Sequence, residues 1–568
     1  MSLDKLIAVA RGEEPADLVL KNAQLVNVLS GEIHAADIGI YDGRVLGFGD
    51  YGARQVVDLA GRFVCPGLMD AHVHIESSMV QPSEFARAVL PHGTTSVISD
   101  PHEIANVLGL DGVRYMLEAS EGLPLSVYVM APSCVPATHM ETSGAELTAA
   151  DLEELMPHER VLGLAELMNF PGVLFRVPEV LNKIEVADGR PIDGHAPGLS
   201  GMDLNAYVAA GVGSDHECTE LDEAREKLRR GMHIMIREGT TARNLHTLLP
   251  LVTPANSRLC HFCTDDRHPR TLLEEGHIDD IVRRAIAWGL EPMMAIQMAT
   301  INTAEYFRLQ NVGAVAPGYR ADLVVLDDLR MMQVAQVYAR GALVAEGGSL
   351  SLSADRLPQV PVQPSVHLDP ASLSFAIAAG DGPARVIGIV PDQVVTEELR
   401  LQPTIEDGLV TSDPDRDLLK MAVIERHHGT GSMGLGLVKG MGLKRGAIAS
   451  SVAHDAHNIG VIGTSDSEMR AAVAAVVEMG GGQVVVSGGE VQAACPLPIA
   501  GLMSDRPLEE VGEQEKALTE AAHSLGCTLP DPLMTMSFLA LEVIPALKLT
   551  DRGLVDVNRF DLVPLFGE

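Results

Sequence analysis

Positive charge is what this 568-residue chain has least of: 42 Lys and Arg stand against 77 Asp and Glu, a formal net charge of −35. A protein that grips a phosphate backbone needs clustered basic side chains, so nucleic-acid binding is set aside. The acidic excess is read as a solubility feature of a cytoplasmic protein. Long apolar runs are missing as well. No stretch reaches the roughly 18 residues that a membrane span needs, and MSLDKLIAVARGEEPAD at the start lacks the apolar core of a secretory signal. The seven cysteines are odd in number and scattered, which fits a reducing compartment. Cys260 and Cys263 form a lone CxxC inside an apolar run that reads as a buried strand, so neither zinc nor redox use is assigned to it. The Gly-rich GTGSMGLGLVKGMG (429–442) lacks both the GKS or GKT ending of a phosphate-binding loop and the spacing of a dinucleotide fingerprint. It is read as a flexible, closely packing turn.

With 46% apolar and 21% charged residues the chain is globular, and its length calls for two to four domains. Short alternating runs broken by Asn, Asp and Gly fill residues 16–59, and runs of the same style return at 313–348. These are read as two halves of one β-sandwich, residues 1–65 and 308–351, interrupted by a large insertion. A Pro-rich stretch without periodicity, 352–370, reads as a linker. Residues 371–568 then mix strands and helices in a C-terminal α/β domain.

The insertion, 66–307, alternates apolar runs with amphipathic segments such as PSEFARAVLPHG and LDEAREKLRRG that end at Gly, as helices do. Eight runs can be counted: GLMDAHVH, TTSVISD, LSVYVMAP, VLGLAEL, PIDGH, GVGSDH, HIMIREG and RLCHFCTDD. Eight strand-plus-helix units predict a parallel (β/α)8 barrel, whose functional groups gather at the C-terminal ends of the strands. Polar, metal-competent residues close most of these runs. His72 and His74 end the first, and alternation places them on one face. Glu166 ends the fourth, His195 the fifth, His216 the sixth, and Asp265 with Asp266 the eighth. Such groups gathered at one end of a barrel predict a metal site.

These residues carry a resemblance. HxH after the first strand, an acid after the fourth, His after the fifth and sixth and Asp after the eighth, all within a divided β-sandwich, resemble the amidohydrolase superfamily. HIESSM (74–79), SDPHEIANVLG (99–109), GLAELMNFPGV (163–173), DGHAPGLSG (193–201), SDHE (214–217), IREGTTARN (236–244) and CTDDRHP (263–269) resemble its bacterial adenine deaminase branch, as does GTGSMGLGLVKGMGLKRGAIASSVAHDAHNIGVIG near the C-terminus. Members that hydrolyse cyclic amides bridge two metals with a carbamylated lysine at the end of the fourth strand. Here that position is Glu166, and the nearest lysine, Lys183, is misplaced by a loop.

The resemblance implies a dinuclear divalent metal site, with Mn2+ ahead of Fe2+ or Zn2+. His72, His74, Glu166 and Asp265 would hold one ion, and Glu166, His195 and His216 the other. It implies hydrolysis of adenine at C6 to hypoxanthine and ammonia, with Asp265 moving protons. The substrates would be adenine and water, and the protein a homo-oligomer, a dimer or larger. A cyclic amidohydrolase, a deaminase of another aminopurine, and an inactive scaffold are the alternatives. Around this set, His102 and Glu103 are candidates for purine contact or proton transfer, and Asp100 for substrate contact or a helix cap. Glu76, Ser77, Ser78 and Arg237 are candidate substrate contacts, with Arg237 pairing with Glu238. Asp266 is placed to accept from a purine nitrogen or to orient Arg267. His139 is read as loop structure. His427, His428, His454, Asp455, His457 and Asn458 are read as hydrogen-bonded loop residues or a lid near the barrel mouth, rather than a third metal site.

Overall fold

The computed structural model describes residues 2–351, 360–391 and 393–567. Part of the expected linker, 352–359, lies outside them. The two β-rich ends of the first half join in one continuous nine-stranded sheet. The join is made where Phe63–Pro66, the last strand before the insertion, pairs antiparallel with Leu323–Asp328, a strand that follows it. The two halves share one core, in which Leu20, Leu25 and Ile38 pack with Leu323 and Val325. Hairpin turns are set locally: Asp42-Gly43 and Arg340-Gly341 both take positive φ (48° and 72°, 49° and 76°). Two residues of that hand match the twist of antiparallel strands, and glycine holds the second place without strain.

The eight apolar runs of the insertion are eight strands: β1 (Leu68–Val73), β2 (Thr94–Ser99), β3 (Ser126–Ala131), β4 (Val161–Leu167), β5 (Ile192–Gly194), β6 (Ser214–Asp215), β7 (His233–Arg237) and β8 (Cys260–Cys263). Parallel pairing runs from β1 through β5 and from β6 through β8. Gly213 N donates to Ile192 O at 2.9 Å, which links β5 to the start of β6. The barrel closes where Asp265 N donates to His72 O and His74 N to Asp265 O, each at 3.0 Å. Ala71, Ile98, Met130, Ala165, Met235 and Cys263 fill its interior. Small and slender side chains suit that taper. Cys263 packs there and Cys260 in the apolar layer outside the strands, so the CxxC is buried as packing.

Helices ring the barrel for reasons written in their ends. Pro82–Val89 starts on Pro, whose missing N–H costs nothing in a first turn. Leu221–Arg229 has Asp222 and Glu223 in its first turn and Lys227 and Arg229 in its last, matching the helix dipole.

The C-terminal domain is built on an eight-stranded sheet, mostly antiparallel, with Leu418–Ile424 and Ile459–Gly463 among its central strands. Helix Asp466–Glu478 packs on it through Met469, Ala472, Val473 and Val476, one stripe at helical spacing. The Gly-rich 429–442 stretch is not a turn: Met433–Lys439 is a strand of this sheet. Its glycines serve close approach, since a Cβ on Gly434 would stand 1.9 Å from the carbonyl oxygen of Thr550. The described part of 352–370 is tied down rather than loose: His367 N donates to Arg426 O at 2.7 Å, and Arg426 Nη1 to Ser365 O at 2.9 Å.

Candidate metal centre and active site

At the C-terminal mouth of the barrel the strand ends converge. His72 and His74 present their Nε2 atoms to each other at 3.2 Å. His74 Nδ1 lies 2.9 Å from the carbonyl oxygen of Asp100. A carbonyl only accepts, so that nitrogen carries the proton and Nε2 offers a lone pair inward. Glu166 stands between two histidine groups. Its Oε1 is 3.3 Å from His74 Nε2 and 3.4 Å from His102 Nδ1, while Oε2 is 2.6 Å from His195 Nδ1 and 3.3 Å from His216 Nε2. Asp265 brings Oδ1 to 3.0 Å from His74 Nε2 and 3.4 Å from His72 Nε2. It has a left-handed backbone (φ 58°), as befits a residue where the chain turns off a strand into a site.

The groupings differ in part from the expected ones. His72 falls with His216 and Asp265, and His74 with Asp100, His102 and Glu166. The rings of His72 and His216 stack 4.1 Å apart. Asp100 and His102 thus join the metal-competent set, with Asp100 Oδ2 3.2 Å from His102 Nδ1. Asp100 also sits one residue before the N-cap, Pro101, of helix His102–Leu108, and its Oδ1 accepts from His102 N at 3.0 Å.

Charge in this enclosure is set by pairing. Burial opposes ionisation of Glu166, yet His195 and His216 outweigh it and hold the carboxyl well below its usual range. Burial likewise opposes charge on Asp265, but Arg237, His72 and His74 keep it ionised. These residues fit a pair of divalent cations. Lone pairs of buried imidazoles and carboxylates face one another, and one glutamate offers an oxygen to each side.

Arg237 does not pair with Glu238. Consecutive residues at a strand end point opposite ways, so Arg237 reaches Glu217 and Asp265 inside the mouth. Glu238 faces outward to Arg284 at 2.9 Å. Nor does Asp266 orient Arg267: it accepts from Ser77 Oγ, while Arg267 is held by Asp280 at 3.2 Å and by backbone carbonyls. Glu76 is buried, and burial pushes its carboxyl up to about 7. Ser78 Oγ merely donates to Ile75 O. His139 is exposed on a loop, and Lys183 donates to Ser133 O at 3.1 Å, away from the histidines.

The C-terminal domain reaches into the mouth. Glu103 accepts from His454 Nδ1 at 2.7 Å and from His457 Nε2. Burial works against its charge, but His454, His457 and His102 hold it well below the normal range. Ala453 N donates to His457 Nδ1 at 3.2 Å, so His457 carries its proton on Nε2 and is a donor to Glu103. A cavity of about 80 Å³ remains, bounded below by the histidines and above by Asp455, Phe538, Leu541 and Ile544. The His-rich SSVAHDAHN was the one signal in the sequence for this lid. Glu103 was a candidate for purine contact or proton transfer, but its pairing with these histidines was not legible.

Comparison with known proteins agrees with this arrangement. The amidohydrolase family matches residues 63–344, and the adenine deaminase C-terminal domain matches residues 393–561. A protein named adenine deaminase from Desulfatibacillum aliphaticivorans is 55% identical over 99% of this chain and 99% of its own. Proteins of the same name from Oleidesulfovibrio alaskensis (52% identical; 100% of this chain, 99% of that one) and Methanothrix thermoacetophila (53%; 100% of each) are similar. The chain belongs to the adenine deaminase family of the amidohydrolases.

Proposed function

We propose that the chain is an adenine aminohydrolase, a hydrolase of cyclic amidine C–N bonds that converts adenine and water to hypoxanthine and ammonia. The observation that carries this reading is Glu166, whose two oxygens divide between two histidine groups in a family of named adenine deaminases. His72, His74, Glu166, His195, His216 and Asp265 would hold two divalent ions. A nitrogen- and carboxylate-rich set without thiolate suits Mn2+, ahead of Fe2+ and Zn2+. Bound there, the ions supply hydroxide from water near neutral pH.

The remaining steps belong to side chains. Asp265 Oδ1, facing the histidines, takes the proton of the attacking water and passes it to the departing amine, while Arg237 fixes Oδ2. His102 lines the cavity, with Nε2 3.6 Å from Glu103 Oε1. Burial opposes its charge, but Asp100 and Glu103 raise its affinity for a proton, and its place on the cavity wall suits contact with a purine ring nitrogen. Glu103, clamped by His454 and His457, keeps that ring in place. Arg237 and Asp266 border the cavity as purine contacts. Ser77 acts through Asp266, and Glu76, which accepts from Ile104 N at 3.2 Å, through the helix that carries Glu103. Phe538, Leu541 and Ile544 exclude water above.

We further propose domain limits of 1–65 with 308–351, 66–307 and 371–568. Seven free, buried cysteines support a cytoplasmic location, and no helix among the described residues is long and apolar enough to cross a membrane. Phe175 and Met202, 79% and 80% exposed near helices that touch on the barrel's outer face, support homo-oligomerisation.

The deciding experiment compares substrates. The Mn2+-loaded enzyme is expected to turn over adenine and leave hydantoin, dihydroorotate and other aminopurines essentially unchanged. Turnover of a cyclic amide in preference to adenine would replace this reading with the rival one.

A further inference from the structure

The roof over the histidine-lined cavity is made by two segments of the C-terminal domain that lie far apart in the chain. Val394 comes from the turn before strand Thr396–Leu401, and Phe538 is the last residue of helix Pro532–Phe538. Leu541 and Ile544 follow in the turn beyond that helix. Phe538 also stacks on His454, with ring centroids 4.9 Å apart and planes 19° from parallel, so the roof touches the clamp on Glu103.

Behind both segments stands Lys548. It lies on strand Leu547–Thr550 and is 0% exposed. Strand alternation puts it on the same face as Thr550, whose hydroxyl donates to Met140 O of the barrel at 2.6 Å. Lys548 Nζ donates to Val394 O at 2.9 Å and to Phe538 O at 2.7 Å. One nitrogen thus joins the two roof segments. The Phe538 carbonyl lies at the C-terminal end of its helix, where free carbonyls gather and a cation is favoured.

The segments have other ties, but at flanking residues. Thr396 N donates to Pro545 O at 2.9 Å, and Leu549 N to Leu539 O at 3.0 Å. Among the described residues, Lys548 is the one side chain that bonds to both Val394 and Phe538. Its place is costly: burial pushes the ammonium down to about 7, although Glu542 favours its charge. A methionine would fill the same space without that cost, so packing does not account for a lysine here. The neutral amine keeps two N–H groups, enough for both carbonyls, so the tie does not depend on protonation.

We propose that Lys548 is a positioning residue for the purine: by tying Val394 to Phe538 it holds the roof closed on the ring. The proposal rests on the reading of this cavity as the adenine site. A roof that packs on the ring without touching the reacting bond binds ground state and transition state alike. Its loosening therefore acts on KM rather than on kcat.

The test compares full-length, Mn2+-loaded wild type with Lys548→Met, which keeps the volume and removes the N–H groups. KM for adenine is expected to rise about 10-fold, with kcat within about threefold of wild type and bound Mn2+ unchanged. Hydrogen exchange is expected to quicken at 393–396 and 538–544 and to stay as in wild type in the central strands Leu418–Ile424 and Ile459–Gly463. An unchanged KM overturns the proposal, as does exchange that quickens evenly over the C-terminal domain. Should Lys548→Met fail to fold, Lys548→Gln, which shortens the reach to both carbonyls, is read in the same way. If wild type does not turn over adenine, the adenine reading falls by itself. Local quickening in the variant then still supports the tie, and its absence overturns it.

Discussion

Glu103 of the barrel and His454 of the C-terminal domain, 351 residues apart in the chain, meet at 2.7 Å inside the barrel mouth. The contact makes the C-terminal domain part of the site rather than an appendage. His457→Gln, which shortens the reach to Glu103, is expected to lower kcat about 10- to 100-fold while leaving bound Mn2+ unchanged. Equal kcat in variant and wild type would remove the C-terminal domain from the chemistry.

Asp265 couples the metal-competent histidines to Arg237 and, in the proposed reaction, to the leaving amine. Asp265→Asn is expected to cost about 10²- to 10⁴-fold in kcat. His74→Ala is expected to lose metal as well as activity. Both should keep wild-type circular dichroism. Full activity of either, with metal content verified, would displace the assignment.

Asp70 is a structural counterpart that the sequence reading passed over. It is fully buried beneath His72, accepts from Thr264 N at 3.1 Å, and lies 3.2 Å from His277 Nε2. It thus ties β1 to the end of β8 and to the segment beyond. Asp70→Ala leaves those partners unpaired in the interior, and a loss of about 2–3 kcal/mol is expected in urea titration. A loss below about 1 kcal/mol would show that the seam closes without it.

The junction of barrel and C-terminal domain carries a pH signature. His268 Nδ1 lies 3.5 Å from both Glu515 and Asp531. Burial disfavours its charge, but the two acids outweigh burial and push it up to about 10. The folded state thus binds this proton more tightly than the unfolded chain, whose imidazole titrates near about 6.5. The stabilisation is complete below that value and is lost as pH rises towards 10. The stability difference between wild type and His268→Gln is therefore expected to shrink between pH 7 and 10. A difference that grows over that range would contradict the pairing.

The barrel was legible because parallel strands are apolar throughout and betray themselves by where polarity resumes. His72, Glu166, His195, His216 and Asp265 each stand where an apolar run stops, and the fold brings such ends together. Partners across the chain were not legible. Arg237 was paired with its neighbour Glu238, although strand alternation sends them apart, and its real partners come from the ends of other strands. Glycines read as a turn proved to be a strand, because only the nearness of the Thr550 backbone explains them. The pairing of Glu103 with His454 and His457 depends on contact between distant segments, and no spacing along the chain encodes it.

The central claim is hydrolytic deamination of adenine, and turnover of adenine in ¹⁸O-labelled water by the Mn2+-loaded enzyme tests it most directly. The account predicts ammonia and hypoxanthine in equal amounts, with one labelled oxygen at C6 of each product molecule. Absence of turnover in protein carrying two metal ions per chain, or hypoxanthine without the label, would contradict it.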